Sequence, residues 1–233
     1  MSDPQDLKGP LDAVDWPAKL TARVVSPGPR PMLHGYDVEE DLARHYSFAE
    51  VVLLALTGEP PSAETGRAFE VALVLASPVA VSEAPSHAAV VARACASSVN
   101  QIQGVAAIAL TEQTRAMVEL HRDLIDALSG ALPAEVPGHW RARSDEERAS
   151  VARLRSVLRG TIEVPALALD LGRAAALIAI FHACGLRSSD RIECALTWAR
   201  LPIVMAEALA TAPGTHLKYP VMLPHTVYTE EKS

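Results

Sequence analysis

The sequence predicts an all-α fold made of many helices, and three observations carry that reading. Aromatic residues are only 4% of the chain, alternating β-branched stretches are few and short, and segment after segment opens on a capping residue and closes on glycine or proline. With 233 residues, 49% of them hydrophobic, the chain can bury a sizeable core. It shows no repeat, no low-complexity stretch and no clean linker. The expected organisation is therefore one domain over residues 1–233, with a smaller subdomain at about residues 134–185.

Ser47-Phe48-Ala49-Glu50 is a capping box, with a serine oxygen for the third amide and a glutamate reaching back. The helix it starts ends at Gly58, before Pro60 and Pro61. Ser62 caps the next, whose Phe69, Ala72, Leu73 and Leu75 recur at helical spacing before Ser77-Pro78. Ser86 is read as opening a helix to about Ala96. A longer apolar segment, Ile102 to Leu128, is expected to break near Thr111, where the pattern turns polar. Ser144, followed by Asp145, Glu146 and Glu147, marks another helix start, its acids favoured by the helix dipole. Val164 to Cys184 is apolar apart from Asp170, Arg173 and His182, so it should cross the core. Ser189-Asp190 opens a final helix to about Ala210, in which Pro202 should introduce a kink.

The net charge of -7 is spread over short mixed clusters, leaving no basic stripe for a nucleic acid. Apolar runs such as Val51 to Leu56 fall far short of the roughly 20 residues of a membrane span. Met1 to Pro10 carries charges and two prolines where a secretory signal would be apolar, which makes the cytoplasm the expected compartment. Cys95, Cys184 and Cys194 lack metal-ligand spacing and read as small buried hydrophobes. Glycine-rich nucleotide loops, the serine-hydrolase elbow, the zinc-protease motif and the paired-cysteine redox motif are all absent from the sequence.

Three polar residues stand where something apolar or small is expected. His87 lies in a first helical turn, whose amide dipoles favour a neutral imidazole able to donate to an oxyanion. His139 follows Pro137-Gly138 in a loop, where functional side chains concentrate. Asp170 falls within an apolar stretch, and a buried lone carboxylate is costly unless it is paired or acts as a base. Taken one at a time, each also fits a bland structural role.

Leu33-His-Gly-Tyr-Asp37, followed by Ser47-Phe-Ala-Glu-Val-Val and Leu56-Thr-Gly-Glu-Pro-Pro61, resembles the opening of the citrate synthase superfamily, in particular of its short citryl-CoA lyase-like branch. Ser86-His-Ala-Ala-Val-Val-Ala-Arg-Ala94 resembles a helix that begins with a catalytic histidine in the citryl-CoA lyase module of ATP-citrate lyase. Val136-Pro-Gly-His139 and Asp145-Glu-Glu-Arg148 resemble the segment supplying a second histidine and a carboxylate-binding arginine. Leu167-Ala-Leu-Asp170 resembles the segment bearing the acid/base carboxylate, and Trp198-Ala-Arg200 one with a further substrate-binding arginine.

The resemblance implies a citrate synthase-like multi-helix fold with a large and a small subdomain. It also implies an enzyme that forms or cleaves the carbon–carbon bond between acetyl-CoA and oxaloacetate. His87, His139 and Asp170 would be catalytic, Arg148, Arg200 and Lys218 would bind substrate carboxylates, and Pro137 and Gly138 would contact coenzyme A. No metal or separate cofactor is implied, since coenzyme A is part of the substrate. The expected partners are an acyl-CoA, a small di- or tricarboxylate and a second copy of the chain, as a homodimer at least.

Three features depart from the family pattern. Ala106 to Val118 has no paired glycines, the loop before His139 is shortened, and Lys218 stands where a tail arginine is usual. These leave two alternatives, a diverged relative acting on another acyl and keto acid pair or a non-catalytic partner subunit.

Overall fold

The computed structural model describes residues 21–26 and 28–214, and over these the chain is all-α with one small sheet. The chain divides at Pro60 and Pro61 into two compact units.

In the first unit, β1 (Val25–Ser26), β2 (Met32–Leu33) and β3 (Tyr36–Asp37) form an antiparallel sheet in chain order. Val25 pairs with Leu33, and Leu33 with Tyr36. The β2–β3 turn is His34-Gly35, both at positive φ (48° and 89°), which suits a two-residue hairpin and explains the glycine. Asp37 then accepts hydrogen bonds from the Glu39 and Glu40 amides, starting a π-helical turn (Val38–Leu42) that runs into α1 (Ala43–His45). In α2 (Phe48–Thr57) the capping box forms as expected. The Glu50 amide donates to Ser47 Oγ (3.3 Å), the Ser47 amide donates to Glu50 Oε2 (2.7 Å), and Gly58 closes the helix at φ 85°.

The second unit begins with α3 (Ala63–Ala76), capped by Ser62. Next, α4 (Ala84–Ala94) and α5 (Val99–Glu119) pack against each other and against the last helix, α9 (Ser189–Ala210). Ala89, Ile102, Ala106, Leu110, Val204 and Ala208 close their shared core, with Val79 beside them. The small residues among them let the helices approach closely. A second layer forms around α8 (Arg173–Ala183), which touches α3, α6 (Arg122–Ser129) and α7 (Asp145–Val157). Every residue from Ala175 to His182 is buried, so this helix crosses the core as its composition requires. Phe69 meets Phe181 edge-on at 5.9 Å.

Several expectations are corrected. α5 does not break at Thr111, because that hydroxyl donates back to the Ala107 and Ile108 carbonyls and leaves the helix intact. The break comes at Leu120 and His121 instead. α4 starts at Ala84, with Pro85 in its first turn, so Ser86 is inside the helix rather than its cap. Val164 to Cys184 is not continuous. Pro165 opens a 3₁₀ turn (Pro165–Ala168), an extended segment follows, and α8 begins only after Gly172. Cys184 is buried, with its thiol pushed up to about 12 by desolvation, whereas Cys95 and Cys194 are exposed at helix surfaces.

Candidate functional site

Gly172 holds the site's frame together. Its amide donates to the Trp140 carbonyl at 2.6 Å, and Arg141 pairs antiparallel with Leu171. A Cβ at Gly172 would lie 2.9 Å from Glu147 Oε1 and 3.1 Å from the Arg141 carbonyl, so close packing requires a glycine here. Glu147, in the first turn of α7, ties the same elements from the other side. Its Oε2 accepts the Arg143 amide and its Oε1 accepts the Arg173 amide, both at 2.8 Å. These two amide bonds outweigh its partial burial and hold the Glu147 carboxyl below the ordinary glutamate value.

On this frame His139 reaches Asp123, Nε2 lying 3.0 Å from Oδ2, and Trp140 Nε1 donates to Asp123 Oδ1 at 3.0 Å. Burial works to raise the Asp123 pKa. Donation from Trp140 and His139, and from the Leu124 amide, outweighs it and keeps the carboxyl below its ordinary range. A carboxylate only accepts, so His139 Nε2 carries the proton and Nδ1 is left for other chemistry. His121 is only 4% exposed, and its Nδ1 donates to the Met117 carbonyl at 2.7 Å, which leaves its Nε2 free. The rings of His121 and His139 are 6.4 Å apart.

Both histidines line a cavity of about 440 Å³, with Trp140, Arg141, Arg143, Glu147 and Gly172 also on its wall. A second cavity of about 310 Å³ shares Met117, Glu147 and Ala174 with the first and is lined beyond them by Arg173 and Arg200. The two cavities adjoin along these three residues and together are called the cleft, with His121, His139, Arg141 and Arg143 lining one and Arg173 and Arg200 the other. Arg200 is half-buried, its Nε donating to the Ala76 carbonyl (3.1 Å) and its Nη1 to Gln113 Oε1 (3.4 Å). Burial pushes its pKa down; the charge of Glu83 opposes this and that of Arg173 adds to it.

The three residues expected to be catalytic do not share a cavity among those described. Asp170 lines a separate hollow of about 260 Å³ with Arg148 and Arg155. It is not the desolvated carboxylate the sequence suggested. Its side chain is 47% exposed and its Oδ1 accepts from Arg148 Nε at 3.1 Å, because the chain is extended here and turns the residue off the helix. Arg148 is ion-paired to both Asp145 and Asp170, which hold its guanidinium above its usual pKa. Two carboxylates therefore already occupy the arginine expected to bind substrate.

His87 is exposed on α4, and its amide is bonded to the Glu83 carbonyl, so it does not sit among free helix-end amides as expected. Pro137 and Gly138 form the turn before His139, their carbonyls accepting from the Trp140 and Arg141 amides. Lys218 lies outside the described residues. Register keeps His139 and Asp170 near each other. The Ala142 amide donates to the Asp170 carbonyl at 3.3 Å, three residues along the chain from His139.

Sequence reasoning missed His121, Asp123 and Arg173. Arg173 had a signal, being a lone arginine in an apolar segment. Asp123 had none, since only the fold brings it to Trp140. Among the described residues there is no group of three or more His, Cys, Asp or Glu side chains placed to hold a metal ion. No helix among them is long and apolar enough to cross a membrane.

Comparison with solved structures identifies the fold. The structure of citryl-CoA lyase from Hydrogenobacter thermophilus superposes with a TM-score of 0.65, covering 92% of this chain and 97% of that one at 18% identity. The chain has the citrate synthase-like fold of a citryl-CoA lyase. The same fold recurs within two longer proteins. ATP citrate lyase from Methanosaeta concilii, solved with (3S)-citryl-CoA, matches with a TM-score of 0.61 at 11% identity over 93% of this chain. ATP citrate lyase from Methanothrix soehngenii, solved with citrate and coenzyme A, gives 0.62 at 10% identity over the same share. Each match spans 43% of the longer chain, so the citryl-CoA lyase fold here corresponds to part of those enzymes. Neither a family model nor a curated protein matches the sequence.

Proposed function

We propose that this protein is a citryl-CoA lyase-like enzyme, which cleaves or forms the carbon–carbon bond between acetyl-CoA and oxaloacetate. The observation that supports this is the pair of adjoining cavities, one lined by His139 and the other by Arg200, in a fold that matches nearly the whole of a citryl-CoA lyase.

In the cleavage direction the citryl hydroxyl must lose its proton as the bond to the acetyl carbon breaks. His139, its Nε2 proton fixed by Asp123, would accept that proton at Nδ1 and return it in the reverse direction. Arg200 would hold a substrate carboxylate through the N–H groups not already bonded to Ala76 and Gln113. Asp170 would exchange the proton at the acetyl methyl through Oδ2, the oxygen Arg148 does not hold. The turn at Pro137 and Gly138 would contact the coenzyme A thioester. The active form would be a homodimer at least, as the family resemblance implies. This chemistry calls for no metal or redox cofactor.

A second reading, a non-catalytic binder of carboxylates, is favoured by one observation: His87 faces solvent and no described cavity gathers two of the three expected catalytic groups. The test is incubation with citryl-CoA, reading oxaloacetate through malate dehydrogenase-coupled oxidation of NADH. The enzyme reading expects steady oxaloacetate release and a fall in kcat of about 10²-fold or more for His139→Ala. Absence of oxaloacetate from citryl-CoA, together with absence of citryl-CoA from acetyl-CoA and oxaloacetate, overturns it in favour of the binder.

A further inference from the structure

Two guanidiniums converge on the end of one helix. Arg173 Nη2 donates to the Leu75 carbonyl at 2.6 Å, and Arg200 Nε donates to the next carbonyl, Ala76, at 3.1 Å. These are the last two residues of α3, whose negative dipole end favours cations. The remaining side-chain bonds are equally neutral, Arg173 Nη1 to Ser150 Oγ and Arg200 Nη1 to Gln113 Oε1. Among the described residues neither arginine has a carboxylate within ion-pair distance, although every cavity-lining guanidinium on the α7 side of the Asp170 hollow is either paired or exposed.

Glu147 lines the same space, but both its oxygens are taken by backbone amides. Glu83 influences Arg200 from a distance while itself accepting from Gln113 and from the Ala80 amide. Like charges held side by side, half-buried and without a counter-ion are costly unless an anion completes them. Each guanidinium uses two of its five N–H groups on these oxygens, which leaves donors on both for a shared anion.

We propose that Arg173 and Arg200 together form the substrate-carboxylate clamp of the cleft, with Arg173 taking the part that sequence resemblance gives to Arg148. The pair would grip a terminal carboxylate of a di- or tricarboxylate in the cavity that shares Met117, Glu147 and Ala174 with the one lined by His139. This deepens the functional reading by naming the residue that selects a polycarboxylate.

The test is binding, independent of turnover. Citrate, tricarballylate and oxaloacetate are titrated calorimetrically into the full chain and into Arg173→Gln, Arg173→Lys and Arg200→Gln, with Arg67→Gln as a surface control ion-paired to Glu70 outside the cleft. Melting temperature and far-ultraviolet circular dichroism confirm that each variant is folded. The expected result is at least a tenfold loss of citrate affinity for Arg173→Gln and Arg200→Gln, partial retention for Arg173→Lys and none lost for Arg67→Gln. Citrate affinity that survives Arg173→Gln, or that falls further with Arg148→Gln than with Arg173→Gln, overturns the clamp. So does failure of the unmodified chain to bind any of the three at millimolar concentration. Arginine-dependent citrate binding without citryl-CoA cleavage would leave the clamp standing and remove only the enzymatic reading.

Discussion

Replacing Glu147 by alanine should loosen the cleft from its middle. The side chain accepts two backbone amides at 2.8 Å, one from exposed Arg143 and one from part-buried Arg173. A hydrogen bond to a charged group contributes about 1.5–3 kcal/mol, and the exposed one belongs at or below the lower end, so the loss should be about 2–4 kcal/mol. For a chain of this size that corresponds to a fall in melting temperature of about 5–15 °C. The loss should also depend on pH in a defined sense. The folded carboxyl titrates below the ordinary glutamate value. Its contribution is therefore complete above the unfolded value of about 4.3 and is lost as pH falls through the lower folded value. Thermal unfolding followed by circular dichroism between pH 3 and 7 reads this directly, in the difference between the parent and Glu147→Ala. A difference near zero at pH 7, or one that grows as pH falls, would refute the assignment of Glu147 as the tie between α7 and α8.

Gly172→Ala should destabilise by about 1–3 kcal/mol, because its Cβ meets the rigid Arg141 carbonyl at 3.1 Å as well as the glutamate; an unchanged melting temperature would contradict this. Asp123→Asn should shift His139 towards a mixture of tautomers and lower turnover more than substrate affinity, read by ¹⁵N chemical shifts of the ring beside kcat and KM. A thiol reagent at neutral pH should modify Cys95 and Cys194 in the native protein and reach Cys184 only after unfolding, since burial holds that thiol near 12. Equal rates at all three would contradict the buried placement.

The fold was legible because local signals agreed with it. Ser47, Gly58, Ser62 and Ser144 each terminate a helix where their chemistry requires, and α8 is buried because its sequence offers no polar face. The short sheet was not legible, since strands of two residues are too brief to show a period. The site was legible only in part. His139 stands out as a histidine in a loop, whereas Arg200 is singled out only by the family resemblance. Asp170 was misread as buried because an apolar stretch of sequence was taken for one helix, when Pro165 and Gly172 divide it. The pairing of Arg148 with Asp145 and Asp170 is not legible, because sequence shows a residue's type but not which acids elsewhere in the chain reach it.

A crystal structure of the protein soaked with citrate tests the central claim most directly. Citrate should lie in the cleft with one carboxylate between Arg173 and Arg200 and its hydroxyl directed to His139 Nδ1. Citrate held by Arg148 with no carboxylate on Arg173 or Arg200, or a cleft that stays empty at saturating citrate, would contradict it.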